Sequence, residues 1–183
     1  MVQPADRVRI WNSFFKLAWD EAKLLHESST GEKVSKQFAP LGGTLANPGF
    51  HILATLLLCN LAIEARANHL IDELEDRGKL TRDEARAAQQ LPTQHKWFLL
   101  PKLAGINKQL DPNSGPHQAI AEICALRNDL LHVKYASLLR KKLPSPSKAL
   151  NLFARFVEAM EDMNVTLRRH KKVRKIVLDL GKF

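Results

Sequence analysis

Cysteine is scarce in this chain. Only Cys59 and Cys124 occur among its 183 residues, each inside an apolar run and without a C-x-x-C neighbour, so neither a disulfide scaffold nor a zinc knot is expected to organise the fold. A reducing, cytoplasmic setting fits that usage. His26, His51, His69, His95, His117 and His170 are scattered without H-x-x-x-H, H-E-x-x-H or mixed Cys/His spacing, and no metal site is expected from them. G-x-S-x-G, Walker and G-x-G-x-x-G sequences are missing, which removes the common signatures of a nucleophile elbow and a phosphate-cradling loop; no cofactor is expected. The longest apolar run, residues 50–63, is interrupted by His51 and Asn60 and falls short of the roughly 20 residues of a membrane span. Residues 1–9 carry charges and Pro4 where a signal peptide would need an apolar core. Export and membrane insertion are therefore not expected.

What the chain has in excess is positive charge. Lysine and arginine outnumber acids 28 to 19, a formal charge of +9, and such a field draws polyanions such as RNA, DNA or anionic lipid before specific contacts form. The length suits one hydrophobic core, so residues 1–183 are read as a single domain.

Its periodicity is helical. In residues 6–27, Val8, Ile10, Trp11, Phe14, Phe15, Ala18, Trp19, Ala22 and Leu25 recur at three- and four-residue steps, the pattern of an amphipathic helix. Residues 29–46 are polar and collect Gly31, Pro40, Gly42 and Gly43, which predicts a loop. Asn47-Pro48 reads as a cap and first turn, opening a second helix that runs to Gly78 and is apolar nearly all round in its first half. Thr81 and Glu84 form a capping box for a short third helix, and Thr93 is read as the cap of another, interrupted at Pro101 and closed by Gly105. After a loop at 107–115, Ser114, Gly115 and Pro116 open a long helix to about Lys142; a turn with Pro144 and Pro146 follows, and Ser147 is read as the cap of a last helix reaching about Lys171. Residues 173–180 fit a strand or a helix tail equally well, and 172–183 form a basic tail. The expectation is an all-α, four-to-five-helix up-and-down bundle with short helices at one end. Trp11, Trp19 and Trp97 are expected in its core, and Phe50 and His51 on a dimer face.

The densest polar cluster in an apolar helix is Arg127-Asn128-Asp129-Leu130-Leu131-His132, preceded by Ile120, Ile123, Cys124 and Leu126. At about 100° per residue Asn128 and His132 share a face, while Arg127 lies roughly 140° round from His132, a gap its long stem can bridge. A guanidinium matches phosphate geometry, an imidazole exchanges protons near neutrality, and a neighbouring amide can hold that ring in one tautomer. These are the parts needed to cleave a ribose-phosphate linkage without a metal: His132 moves the proton of a 2'-hydroxyl or of the leaving oxygen, and Arg127 neutralises the phosphate.

This run is similar to the R-x4-6-H signature of the HEPN superfamily. Residues 61–71 look like the early helix of that family, in which an acidic residue faces the arginine, with Glu64 at the matching position; residues 91–105, with Lys96-Trp97, look like its short connecting helix. The resemblance covers about residues 50–136. It implies a helical bundle, an RNA substrate, a metal-independent endoribonuclease activity and a homodimer whose two motifs share one cleft, with Arg127, Asn128, His132 and Glu64 as site residues. In the toxin subgroup a tyrosine follows the histidine after one residue; here Tyr135, the only tyrosine, stands three positions after His132, a departure from the toxin-antitoxin pattern. The reading from a different class is a non-catalytic helical adaptor that binds a protein partner or regulator, or a nucleotide.

A further basic run places Arg168, Arg169, Lys171, Lys172, Arg174 and Lys175 within nine residues, a density suited to RNA phosphates; Arg140, Lys141 and Lys142 are candidates to extend that surface. Asp72, Glu73, Glu75 and Asp76, mixed with Arg66 and Arg77, read as a solvated salt-bridged face.

Overall fold

The structure, a computed structural model, describes residues 4–30, 48–131 and 143–167. Within them the chain is all-helical, with no strand. Its helices are α1 (Pro4–Thr30), α2 (Pro48–Asp76), α3 (Arg82–Gln90), α4 (Thr93–Leu103), α5 (His117–Leu131) and α6 (Pro146–Thr166). Helix α1 continues through Thr30, two residues into the loop expected at 29–46; the rest of that loop, the cap at Asn47, the extension of the fifth helix to Lys142, the last turn to Lys171 and the choice of strand or helix at 173–180 lie outside the described residues.

Local chemistry accounts for the helix ends. At the end of α2 the chain turns through Gly78 at φ +66°, a conformation that a side chain disfavours, and the Lys79 amide returns to the Leu74 carbonyl at 2.9 Å. The capping box of α3 is complete: the Glu84 amide donates to the Thr81 hydroxyl at 3.3 Å, and the Thr81 amide donates to the Glu84 carboxylate at 2.7 Å. Those bonds hold the Glu84 carboxyl below its ordinary range, the backbone amide contributing most.

Three local expectations are corrected. Thr93 does not cap α4; Pro92 occupies that position without a side-chain bond, and Thr93 is the first helical residue. Pro101 does not interrupt α4, which continues to Leu103; lying within a turn of the end, it disrupts only one intrahelical bond, and the helix closes through Gly105 at φ +75°. Ser145, not Ser147, caps α6: its hydroxyl accepts from the Lys148 amide at 3.3 Å, which places Pro146 in the first turn where its missing N–H costs nothing.

The long helices alternate in direction. His51 on the first turn of α2 meets Glu21 late in α1 at 2.8 Å, and Arg66 further along α2 lies 4.6 Å over the Trp11 ring early in α1. Phe15 and Trp19 of α1 pack on Phe156 and Phe153 of α6, with ring centroids 5.7 and 5.6 Å apart, so these helices are antiparallel too. His117 at the start of α5 meets Asp162 near the end of α6 at 2.8 Å, whereas Glu122 meets Lys148 near its beginning at 3.7 Å. Helix α2 touches each of the other five and carries the centre of the core through Leu56, Cys59, Ile63, Ala67, Leu70 and Ile71.

That central position explains why α2 is apolar on nearly every side. Its 29 residues contain an 18-residue window of mean hydropathy 1.4, so by length and composition it is long and apolar enough to cross a membrane, although the apolar run at 50–63 alone falls short; 44% of the window is buried against the rest of the chain. Trp11 and Trp97 are buried and Trp19 partly so, as expected of core aromatics. Phe50 is exposed, but His51 is buried on Glu21 and cannot line an outer face as expected. Both cysteines are buried free thiols.

Candidate functional site

The site is built on the last turns of α5. Ile120, Ile123 and Cys124, three and four residues apart, face the core, and this rotates Arg127 and Asn128 outward. Both are exposed, and Arg127 Nη1 donates to Asn128 Oδ1 at 2.9 Å. The guanidinium thus keeps most of its donors for an incoming acceptor. The helix is continuous through Leu131; His132 itself lies outside the described residues, as do Tyr135, Arg140, Lys141, Lys142, Arg168, Arg169, Lys171, Lys172, Arg174 and Lys175.

Because α2 and α5 run antiparallel and meet at Asn60 and Cys124, a polar stripe on α2 faces the first half of α5, on the other side of that contact from Arg127. Asn60, Glu64 and Asn68 recur every four residues, so they stack along one side of an otherwise apolar helix. Asn60, 6% exposed, donates through Nδ2 to Cys124 Sγ at 3.4 Å and joins the two helices. Glu64 is gripped from α4: its carboxylate accepts from the Thr93 hydroxyl and from the Lys96 ammonium, which also donates to Asn68 Oδ1 at 2.9 Å. Asn68 Nδ2 donates to Glu64 Oε1 at 3.4 Å. Lys96 is 2% exposed, and a lysine that deep requires a paired counter-charge.

The resemblance implied that Glu64 holds the motif arginine. Among the described residues Glu64 pairs with Lys96, Arg127 pairs with Asn128, and no bond joins Glu64 to Arg127. Both charges act on the Cys124 thiol between them. Burial pushes that thiol up to about 12; the Asn60 hydrogen bond and the Arg127 charge oppose the rise, and the Glu64 charge adds to it. Burial also raises the Cys59 thiol. Neither cysteine is thereby a ready nucleophile.

A second polar cluster sits where α4, α5 and α6 meet. Trp97 Nε1 donates to His117 Nδ1 at 3.2 Å, and His117 Nε2 lies 2.8 Å from Asp162 Oδ2. Accepting from the indole fixes the ring tautomer, so Nε2 carries the hydrogen that Asp162 receives. Lys108 donates to both Asp162 oxygens at 3.1 and 3.0 Å. Burial tends to raise the Asp162 carboxyl, but the bonds from His117 and Lys108 outweigh it and hold the group below the ordinary aspartate range. Every polar atom of this ring is engaged within the fold, so its role is to join helices.

Among the described residues no group of three or more His, Cys, Asp or Glu is placed to hold a metal ion. Compared with known protein families, curated proteins and solved structures, the chain matches none.

Sequence reasoning missed Thr93 and Lys96 as the partners of Glu64, and Asn60 as the partner of Cys124. The four-residue spacing of Asn60, Glu64 and Asn68 inside an apolar run was the signal that could have found the stripe. Nothing in the sequence marks Lys96 as its partner, since that pairing bridges 32 positions.

Proposed function

We propose that this chain is a HEPN-like, metal-independent endoribonuclease of the cytoplasm, whose four long helices form an up-and-down bundle. It acts as a homodimer in which Arg127 and His132 of two copies flank one RNA phosphate. The observation that carries the reading is the placement of Arg127: exposed at the end of α5, bonded to Asn128 and to no carboxylate among the described residues. An arginine placed for structure usually ends on an acid, whereas one placed for a phosphate keeps its planar fork open.

In this mechanism Arg127 binds the non-bridging oxygens and stabilises the charge that grows on them as phosphorus becomes five-coordinate. His132 takes the proton of the 2'-hydroxyl, whose oxygen attacks the adjacent phosphorus, and the 5'-oxygen leaves with a proton from the second histidine of the dimer. Asn128 positions the guanidinium, and Glu64 anchors α2 to α4. The basic run from Arg168 to Lys175 supplies phosphate contacts outside the cleft. Phe50 and Leu61, 42% and 44% exposed, are eleven residues apart and so share one side of α2, a surface suited to a second copy.

The test is incubation of the purified chain with end-labelled RNA in the presence of a chelator. Cleavage is expected, with His132→Ala reducing it by a factor of about 100 or more. Undiminished cleavage by that variant would remove the mechanism. Absence of cleavage by the wild type, with a protein partner captured on the Phe50 and Leu61 surface, would instead support the non-catalytic adaptor reading.

A further inference from the structure

Two helices of the bundle are apolar on a side that the core does not use. On α1, Ile10, Phe14 and Leu17 follow at steps of four and three residues; the outer two are 46% and 49% exposed, and Phe14 is half-buried. On α2, Phe50, Ala54, Leu57 and Leu61 follow at steps of four, three and four, again with the outer two exposed, at 42% and 44%. Each set is a narrow stripe of the kind that forms the seam between packed helices. The core has its own stripes, through Trp11, Phe15 and Ala18 on α1 and through Leu56, Cys59 and Ile63 on α2.

The two outer stripes lie side by side. Helices α1 and α2 are antiparallel, and Leu17 falls between Trp11, which Arg66 covers, and Glu21, which meets His51; it therefore comes level with the middle of the stretch from His51 to Arg66. Toward α6, α1 turns Phe15 and Trp19, and α2 turns Arg66, which donates to Asn164. At about 100° per residue, Ile10 and Leu17 stand roughly 170° round α1 from the middle of Phe15 and Trp19, and Phe50 and Leu61 stand roughly 150° round α2 from Arg66. Both stripes face away from α6 and make one two-helix face.

Area and charge select its occupant. At roughly 80 Å² for each of the four exposed residues, with less from the half-buried ones, the face presents on the order of 400 Å² of apolar surface, in the range of the largest patch on a monomer. Laid on its own copy about a two-fold axis it removes about 800 Å² of apolar surface, and a polar rim carries the contact past the roughly 1,000 Å² of a specific interface. Beyond Leu61 the same side of α2 continues into Asp72 and Glu75, eleven and fourteen residues on, and these acids oppose an anionic membrane or a nucleic acid. A helical partner with the same spacing fits the face, and the chain carries that spacing itself.

We propose that the face of α1 and α2 is where two copies of this chain meet, helix pair on helix pair, through Ile10, Leu17, Phe50 and Leu61. The proposal rests on the homodimer of the ribonuclease reading and not on its chemistry, and it makes α1 half of the contact.

Sedimentation equilibrium of the full chain tests this, with Leu17→Glu on α1 and Leu61→Glu on α2. Both positions are nearly half exposed, so helical circular dichroism should stay at the wild-type level. The wild type is expected to sediment as a dimer, and each variant to raise the dimer dissociation constant about 100-fold or more, because a two-fold contact meets every substitution twice. Val165→Glu, at a residue 51% exposed on α6 and outside the face, should leave the dimer intact.

A monomeric wild type overturns the proposal, and flotation of that monomer with neutral phosphatidylcholine vesicles would give the face to lipid instead. A dimer that survives both face variants overturns it as well, as does one that Val165→Glu breaks equally. Should one face variant fail to fold, the other decides by the same measurement, with Phe50→Ser in reserve. A dimer that dissociates as expected but does not cut RNA supports the interface and counts against the ribonuclease reading, so the two failures are told apart.

Discussion

Single side chains in this protein are governed by who supplies their counter-charge or missing hydrogen bond. His117 illustrates the neutral case: buried at 5% exposure, it receives the Trp97 indole and gives to Asp162. Replacing it by phenylalanine strands the indole N–H in the core, and urea denaturation is expected to show a loss of about 1–3 kcal/mol. Asp162 illustrates the charged case. Its carboxyl titrates lower in the folded chain than in the unfolded one, so its contribution is present above the unfolded value of about 3.9 and disappears as pH falls through the lower folded value. Stability followed from pH 5 downward should therefore fall less steeply for Asp162→Asn than for the wild type, and an unchanged acid limb would show that the pair with Lys108 contributes nothing. The ion pair is partly exposed, at 44% and 36% for Lys108 and Asp162, so solvent screens much of its strength.

At the scale of elements, helix ends follow from a few residues whose chemistry is local. Ser145 accepts the Lys148 amide, and Ser147 meets only the Ser145 hydroxyl, at 3.1 Å. Ser145→Ala is accordingly expected to lower the melting free energy by about 1 kcal/mol, and Ser147→Ala by clearly less; the reverse order in thermal denaturation would contradict the assigned cap. This locality also explains what could be read from the sequence. The capping box at Thr81 and Glu84, the turn after α2 and the helical periods of α1, α2 and α5 depend on neighbours within four residues, and they were legible. Ser147 was misread because it and Ser145 flank Pro146 and compete for one capping position, and Thr93 because a tertiary contact claims its hydroxyl. At Thr93 the choice was made by Glu64, 29 positions away, which took the hydroxyl for the contact between α2 and α4. The same long-range pairing hid Lys96, and His51 was drawn inward by Glu21 across 30 positions.

At the scale of the molecule, the described helices wrap on α2, with Arg127 and Asn128 at the end of α5 and the Glu64–Lys96 pair where α2 meets α4. In the proposed ribonuclease reading, the net charge of +9 supplies a long-range attraction for RNA and Arg127 a phosphate contact. Affinity for RNA should therefore fall steeply as salt rises from about 50 to 200 mM, because phosphate contacts release condensed counterions. A salt-independent affinity would mean that binding does not run through the basic side chains.

The central claim is that Arg127 and His132 act on one phosphate, and a double-mutant cycle on RNA cleavage tests it most directly. Single-turnover rates for Arg127→Ala, His132→Ala and the combined variant are predicted to be non-additive, with the combination scarcely slower than the worse single change, as for groups that work as a unit. Wild-type cleavage rates in either single variant would contradict the account.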